Sequence, residues 1–397
     1  MSWRSIDGIL SSAVEAAPSL PGVVAMLTDR GRTLYSGAVG RRSVEKAEAM
    51  TADTVLALFS CSKAVTATAV LQLVEDGLLD LDRPVRAILP DIAAIQVLDG
   101  FDDSGQPQLR APKRDITTRM LLLHSSGFGY EFFNHGLLKV QTATGAPSVI
   151  SGRRAALQTP LLFDPGEDWN YGIGLDWCGR IVETLRGTSL GEAMKSGIFD
   201  RLGMSDTGFG LTPDMRGRLA SLHQRAADGG LTAYPDPDPA VLPEMHMGGH
   251  GLYGTAGDYL AFIRMWLNDG DGPHGRVLTP ATVEMAVKDG LQGRKIHPIA
   301  SAVPAYSHDV EMFPGIAKSW SLPFMVNDDQ APTGRPAGSV GWAGLANLFY
   351  WIDRRNGIGG FWATQLFPFA DPAAITAYLG FETAVYDEIN NHLQKIV

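Results

Sequence analysis

The chain has 397 residues, 45% of them hydrophobic and 19% charged, which is enough apolar material for a large core and argues against a disordered chain. Its formal net charge is -10 and no basic block is present, so a nucleic-acid partner is not expected. No run approaches the ~18 apolar residues of a membrane span, and residues 1–18 lack the apolar centre of an export signal; no membrane partner and a cytoplasmic location are the expectations. The length suggests two subdomains around a shared core. Two cysteines, Cys61 and Cys178, cannot build a disulfide framework and are expected as reduced thiols.

Ile6, Ile9, Leu10, Ala13 and Val14 have helical spacing, which Pro18 to Pro21 interrupt. Two strands are predicted next, 22–28 and 33–39, joined by an Asp29-Arg30-Gly31 turn. Then a serine with a lysine three residues on occurs twice. Ser43-Val44-Glu45-Lys46 lies among charged residues with no apolar period after it and reads as a solvated loop. Ser60-Cys61-Ser62-Lys63 opens an apolar run that ends at Gly77.

Residues three apart share a helix face, so Ser60 and Lys63 can meet in a first turn. A serine hydroxyl becomes a useful nucleophile only when a base takes its proton, and a lysine serves when its surroundings keep it partly neutral. On spacing alone a serine N-cap with a surface lysine fits equally well. Cys61 points about 100° away from that face and reads as a packing residue.

From Asp80 to about Pro165 the chain reads as helical segments broken by Pro, Gly and charge, an inserted helical region with little strand alternation. His124, at the end of the segment holding Leu121, Leu122 and Leu123, reads as structural, as a cap. Asp164-Pro165-Gly166 makes a turn, and Tyr171 arrives just ahead of a helix with Leu175, Cys178, Ile181, Val182 and Leu185, which stops at Gly187. Gly187-Thr188-Ser189-Leu190-Gly191 imitates a nucleophile elbow but lacks the strand such an elbow needs. Ser189 is therefore read as an N-cap, and Lys195-Ser196-Gly197 as a surface turn of the following helix.

Residues 227–257 are rich in Gly and Pro and read as a long loop bordering a site. His246 and His250 are four apart, but Gly248 and Gly249 between them make a helical metal site an unfavoured reading. The last third returns to strands at 339–344, 346–352 and 358–365, and Asp371-Pro372 starts a closing helix. Strands early and late with helices between predict an α/β (α+β) fold: an antiparallel sheet built from both chain ends and flanked by helices. The predicted division is 1–82 with 166–397 as the α/β part and 83–165 as a mainly helical subdomain, the loop region near 227–265 being free to join the helical lid.

Taken together, Ser60-Cys61-Ser62-Lys63, His124-Ser125-Ser126-Gly127, Asp164-Pro165-Gly166 with Tyr171, Leu202-Gly203-Met204 and Gly341-Trp342-Ala343-Gly344 resemble the penicillin-recognising serine hydrolases. The chain is most similar to their class C β-lactamase-like branch, which holds the family VIII carboxylesterases. Leu89-Pro90-Asp91 to Gly100-Phe101-Asp102-Asp103 also resembles fungal acyltransferases that load the side chain of statin polyketides.

The resemblance implies Ser60 as nucleophile, Lys63 as its base, and Tyr171 as the second-motif tyrosine that protonates the leaving group. It implies an oxyanion hole from the backbone N–H groups of Ser60 and Leu345, with Trp342 and Gly344 as substrate-binding residues. A tyrosine beside a lysine ammonium is expected to move toward the phenolate and the lysine toward holding its proton. Two departures from the lactamase pattern, Trp342 in place of a lysine and Ile173 in place of an asparagine, favour uncharged esters. The expected function is a serine carboxylesterase acting on small-molecule esters with short to medium acyl chains, without metal or cofactor. Acyl transfer to an alcohol, weak β-lactam hydrolysis and a non-catalytic acyl sensor are the alternatives.

Overall fold

The computed structural model of the chain describes residues 3–238 and 241–394. Both ends of the chain contribute to one seven-stranded antiparallel sheet, in the order Lys318–Trp320, Met325–Asn327, Val340–Gly344, Leu348–Asp353, Ile358–Ala363, Gly22–Asp29 and Thr33–Gly40. Short polar turns set the hairpins. Asp29 Oδ1 accepts the N–H groups of Gly31 and Arg32, each at 2.7 Å, and Asp353 Oδ1 accepts that of Asn356 at 3.0 Å; both are side chains standing in for a backbone turn partner.

Every residue of Leu348–Asp353 is buried, because helices cover both faces of the sheet. Phe349 and Trp351 pack on Tyr378 and Phe381 of the closing helix Pro372–Gln394. Tyr350, pointing the other way, meets Tyr259 of the helix Ala256–Leu267. That is the period of two that a strand imposes. The first helix, Arg4–Glu15, lies beside the closing helix with Ile6 and Leu10 fully buried.

All but the last two residues of the helix Ser62–Glu75 are buried. A helix that is enclosed on every side belongs in the middle of a molecule, and this one packs against the helix Gly174–Arg186. Cys61 and Cys178 are buried free thiols. Among the described residues no helix is long and apolar enough to cross a membrane.

The 83–165 stretch departs from the reading of little strand alternation. Val97–Phe101 pairs with Pro107–Arg110 in an antiparallel hairpin. The turn between them is built by Asp102, whose Oδ1 accepts from the N–H groups of Ser104 and Gln106 at 2.9 Å each. The strands are partly exposed on both sides, so they carry only a weak apolar alternation. The α-helices of this stretch are Thr118–Leu122 and His135–Thr144, with 3-10 turns between.

Candidate active site

Ser60 does not stand in the first turn of an α-helix, as its spacing suggested. Phe59–Cys61 form a 3-10 turn, and the α-helix starts at Ser62. Phe59 has a φ of 45°, a conformation a bulky side chain holds only when its surroundings enforce it. The enforcement is visible: Val55–Ala57 pairs with Tyr253–Thr255, Leu58 N–H donates to the Leu252 carbonyl at 2.9 Å, and Leu252 N–H donates to Ser62 Oγ at 3.1 Å. On the opposite side the strand Val340–Gly344 presses directly on the turn. A Cβ on Gly344 would lie 2.6 Å from the Leu58 carbonyl oxygen, so only glycine permits this approach.

Lys63 is 2% exposed, and its amine sits in a cage of three oxygens. It reaches Ser60 Oγ at 3.1 Å, Tyr130 Oη at 2.8 Å and the Gly249 carbonyl at 2.8 Å. Burial pushes its pKa down to about 7, against an opposing pull from the Asp176 carboxylate. Tyr171 Oη accepts from Trp342 Nε1 at 3.0 Å and is a hydrogen-bonding neighbour of Ser60. Burial pushes its pKa up. The expected titration of this pair is thus reversed: the lysine is shifted toward the neutral amine and the tyrosine toward the neutral phenol. Removing either charged form from water outweighs what the partner supplies.

Tyr171 owes its position to its neighbours. The His124 ring lies 4.7 Å from its ring and 4.9 Å from that of Trp320, and His124 Nδ1 accepts the Gly172 N–H at 3.3 Å. His124 is buried with a φ of 55°; it is structural, as read, but as a prop for Tyr171 rather than a helix cap. Trp342 does more than supply an apolar ring, since its indole N–H orients the Tyr171 hydroxyl.

Ser60, Tyr171, Trp342, Gly344 and Leu345 line one cavity that opens to solvent, with Lys63 behind the serine. Its other walls are mainly apolar, with Phe132 and Phe133 on one side and Ile299, Val310 and Met312 on another. Such a chamber with a few polar groups at one end suits a small, largely apolar ligand. The arrangement can supply a hydroxyl nucleophile, an adjacent base and a second proton carrier.

Residues 10–385 match the family model described as Beta-lactamase. The chain belongs to the β-lactamase family. It is 33% identical to the monacolin J acid methylbutanoyltransferase of Aspergillus terreus over 383 residues, 92% of each chain. It is also 33% identical to the lovastatin esterase of Penicillium rubens, over 91% of this chain and 92% of that one. A mutant of simvastatin synthase from Aspergillus terreus superposes with a TM-score of 0.84 at 28% identity, covering 97% of this chain and 95% of the other. These β-lactamase-family relatives include acyltransferases and an esterase, and the fold is the mixed α/β one expected.

Ser189, Lys195 to Gly197 and His246 are not among the residues that line this cavity, whereas His250 is. Ser189 caps the helix Leu190–Met194 in a reciprocal pair with Glu192, and Lys195 to Gly197 lie in a single π-helical turn. His246 stacks on Phe209 and accepts the Gly191 N–H. Among the described residues no cluster of three His, Cys, Asp or Glu side chains could hold a metal. Two residues at the site escaped the sequence reading, Tyr130 and Asp176, while His250, read as part of a loop bordering the site, does line the cavity. Tyr130 had a signal, an aromatic run Tyr130-Glu131-Phe132-Phe133 directly after the glycine-kinked loop at Gly127 and Gly129. Asp176 had none, because it looks like one more polar residue until the fold buries it.

Proposed function

We propose that this protein is a serine carboxylesterase that works through an acyl-enzyme at Ser60. The observation that carries the proposal is the 3.1 Å contact between Ser60 Oγ and a Lys63 amine that burial brings to about 7. A neutral amine has two N–H groups and one lone pair. Gly249 O and Tyr130 Oη, each at 2.8 Å, can take the two N–H groups, which leaves the lone pair for the Ser60 proton. Attack forms the Oγ–acyl bond while that proton passes to Lys63 Nζ. The developing oxyanion is held by the backbone N–H groups of Ser60 and Leu345, each donor supplying about 10²–10³ in rate. The ester C–O bond then breaks, and the leaving alcohol takes a proton by way of Tyr171, held by Trp342. Water repeats the sequence in reverse and frees the acid.

The mainly apolar walls favour a short to medium uncharged acyl group, and Trp342, where lactamases of this family carry a lysine, favours esters over lactams. Acyl transfer to an alcohol is the second reading, supported by the relative named for methylbutanoyl transfer. The test is p-nitrophenol release from p-nitrophenyl butyrate by the wild-type protein and by Ser60→Ala. Turnover past one equivalent that vanishes in the variant supports the esterase; a single burst in the wild type points instead to an acyl sensor. Turnover that survives in Ser60→Ala overturns the assignment. Adding an alcohol measures the second reading, since product shifts from acid to new ester without a change in the acylation rate.

A further inference from the structure

Asp176 lies in the first turn of the helix Gly174–Arg186 and is fully buried. Its Oδ1 accepts the Gly249 N–H at 3.0 Å, and the carbonyl of the same glycine accepts from Lys63 Nζ at 2.8 Å. A Cβ on Gly249 would lie 2.5 Å from Asp176 Oδ2, so the carboxylate is packed directly on the residue that holds the amine. Asp176 Oδ2 has no hydrogen-bond partner among the described residues, and neither ring nitrogen of His250 has one. His250 borders the substrate cavity, and its Nδ1 is 3.8 Å from Asp176 Oδ1. A buried carboxylate with an empty acceptor site is costly and needs a reason to be where it is.

We infer that Asp176, seated through Gly249 beneath the Lys63 amine and flanked by His250, is the counter-charge that sets the pH at which Lys63 becomes a base. The inference rests on Lys63 being the base proposed above. The other titratable groups around the amine and the carboxylate are Cys61, Cys178, Tyr130, Tyr171, His124 and His250. Burial raises the two thiols and the two phenols and lowers the two imidazoles, so each favours its uncharged form near neutral pH. Glu131, on the segment of Tyr130, accepts a hydrogen bond from Ser148. Among these neighbours Asp176 is the carboxylate whose charge opposes, at Lys63, the desolvation that would otherwise hold the amine neutral. Asp176 touches no reacting atom; it is a positioning residue.

The test follows the rate of Ser60 labelling by an alkyl fluorophosphonate from pH 5 to 9. Labelling forms an Oγ–P bond, expels fluoride and needs the base but no turnover. Removing the negative charge in Asp176→Asn lowers the proton affinity of Lys63, so the acid limb of the profile moves down by about one pH unit. Asp176→Glu, which keeps the charge, returns it toward the wild-type position. A uniform loss of rate in Asp176→Asn with the limb in place overturns the inference and leaves the esterase reading intact. If Asp176→Asn fails to fold by circular dichroism, Asp176→Ser serves instead: removal of the carboxylate must again move the limb down, and an unmoved limb overturns the inference. A wild type that does not label at Ser60 overturns the base assignment and this inference with it.

Discussion

Ser43-Val44-Glu45-Lys46 and Ser60-Cys61-Ser62-Lys63 share a spacing and little else. Ser43 is buried, contrary to the solvated loop that its charged neighbours suggested, because the loop folds back on the body of the protein. Lys46 reaches outward instead, to Asp236 at 2.9 Å, with 53% of its side chain exposed. The hydrogen bond to that carboxylate raises its pKa. Lys63 is 2% exposed, faces three oxygens, and is brought down to about 7. The same two residue types at the same separation give a fixed cation in one place and a candidate base in the other. Desolvation makes the difference, since it penalises the ammonium at Lys63 and leaves it hydrated at Lys46.

Substitution at the two serines should break this comparison most sharply. Ser60→Ala is expected to lower p-nitrophenyl butyrate hydrolysis by at least about 10³-fold, while Ser43→Ala stays within about twofold, away from the machinery. Equal losses would erase the contrast. The lysines come next: Lys63→Met should lose about 10²–10⁴ in kcat/KM, and Lys46→Met should not change it. The wild-type pH profile sharpens the point. Lys63 must be neutral to accept a proton, so kcat/KM should rise as pH passes about 7 and level off above it. A limb near 10 would mean that the amine is as hydrated as Lys46.

Smaller effects separate the two tyrosines. Tyr171→Phe removes the group assigned to the leaving alcohol and should cost about 10²-fold in kcat. Tyr130→Phe removes one oxygen from the Lys63 cage and should cost about tenfold, the equivalent of one lost hydrogen bond. The reverse order would make Tyr130 the proton carrier. Trp342→Phe keeps an aromatic ring but loses the indole N–H on Tyr171, with a drop of about tenfold expected. At the other end, Lys46→Ala removes an exposed ion pair and should shift the stability read from a urea melt by less than about 1 kcal/mol.

Much of the architecture was legible because periodicity reports burial. The hairpin 22–39, the helix after Tyr171, the late strands and the closing helix lie where alternation, helical spacing and turn residues placed them. The hairpin at 97–110 was not, since its strands are partly exposed and alternate weakly. At the site, the resemblance picked out Ser60, Lys63, Tyr171, Trp342, Gly344 and Leu345, and the fold gathers them around one cavity. Tyr130, Asp176 and His250 join them from positions 67, 113 and 187 residues beyond Lys63, a juxtaposition no local pattern encodes.

The chain by itself determined which residues could do chemistry and which segments would be strand or helix, because both follow from residue type and short-range spacing. It also determined that Gly344 would be free of a side chain where the strand meets the Ser60 turn. Only the tertiary structure decided the protonation of that chemistry. The direction in which Lys63 and Tyr171 are shifted depends on how much water reaches each group and on which charge is buried beside it. Solvent access and the field of Asp176 are properties of the assembled core, set by elements far apart in the sequence.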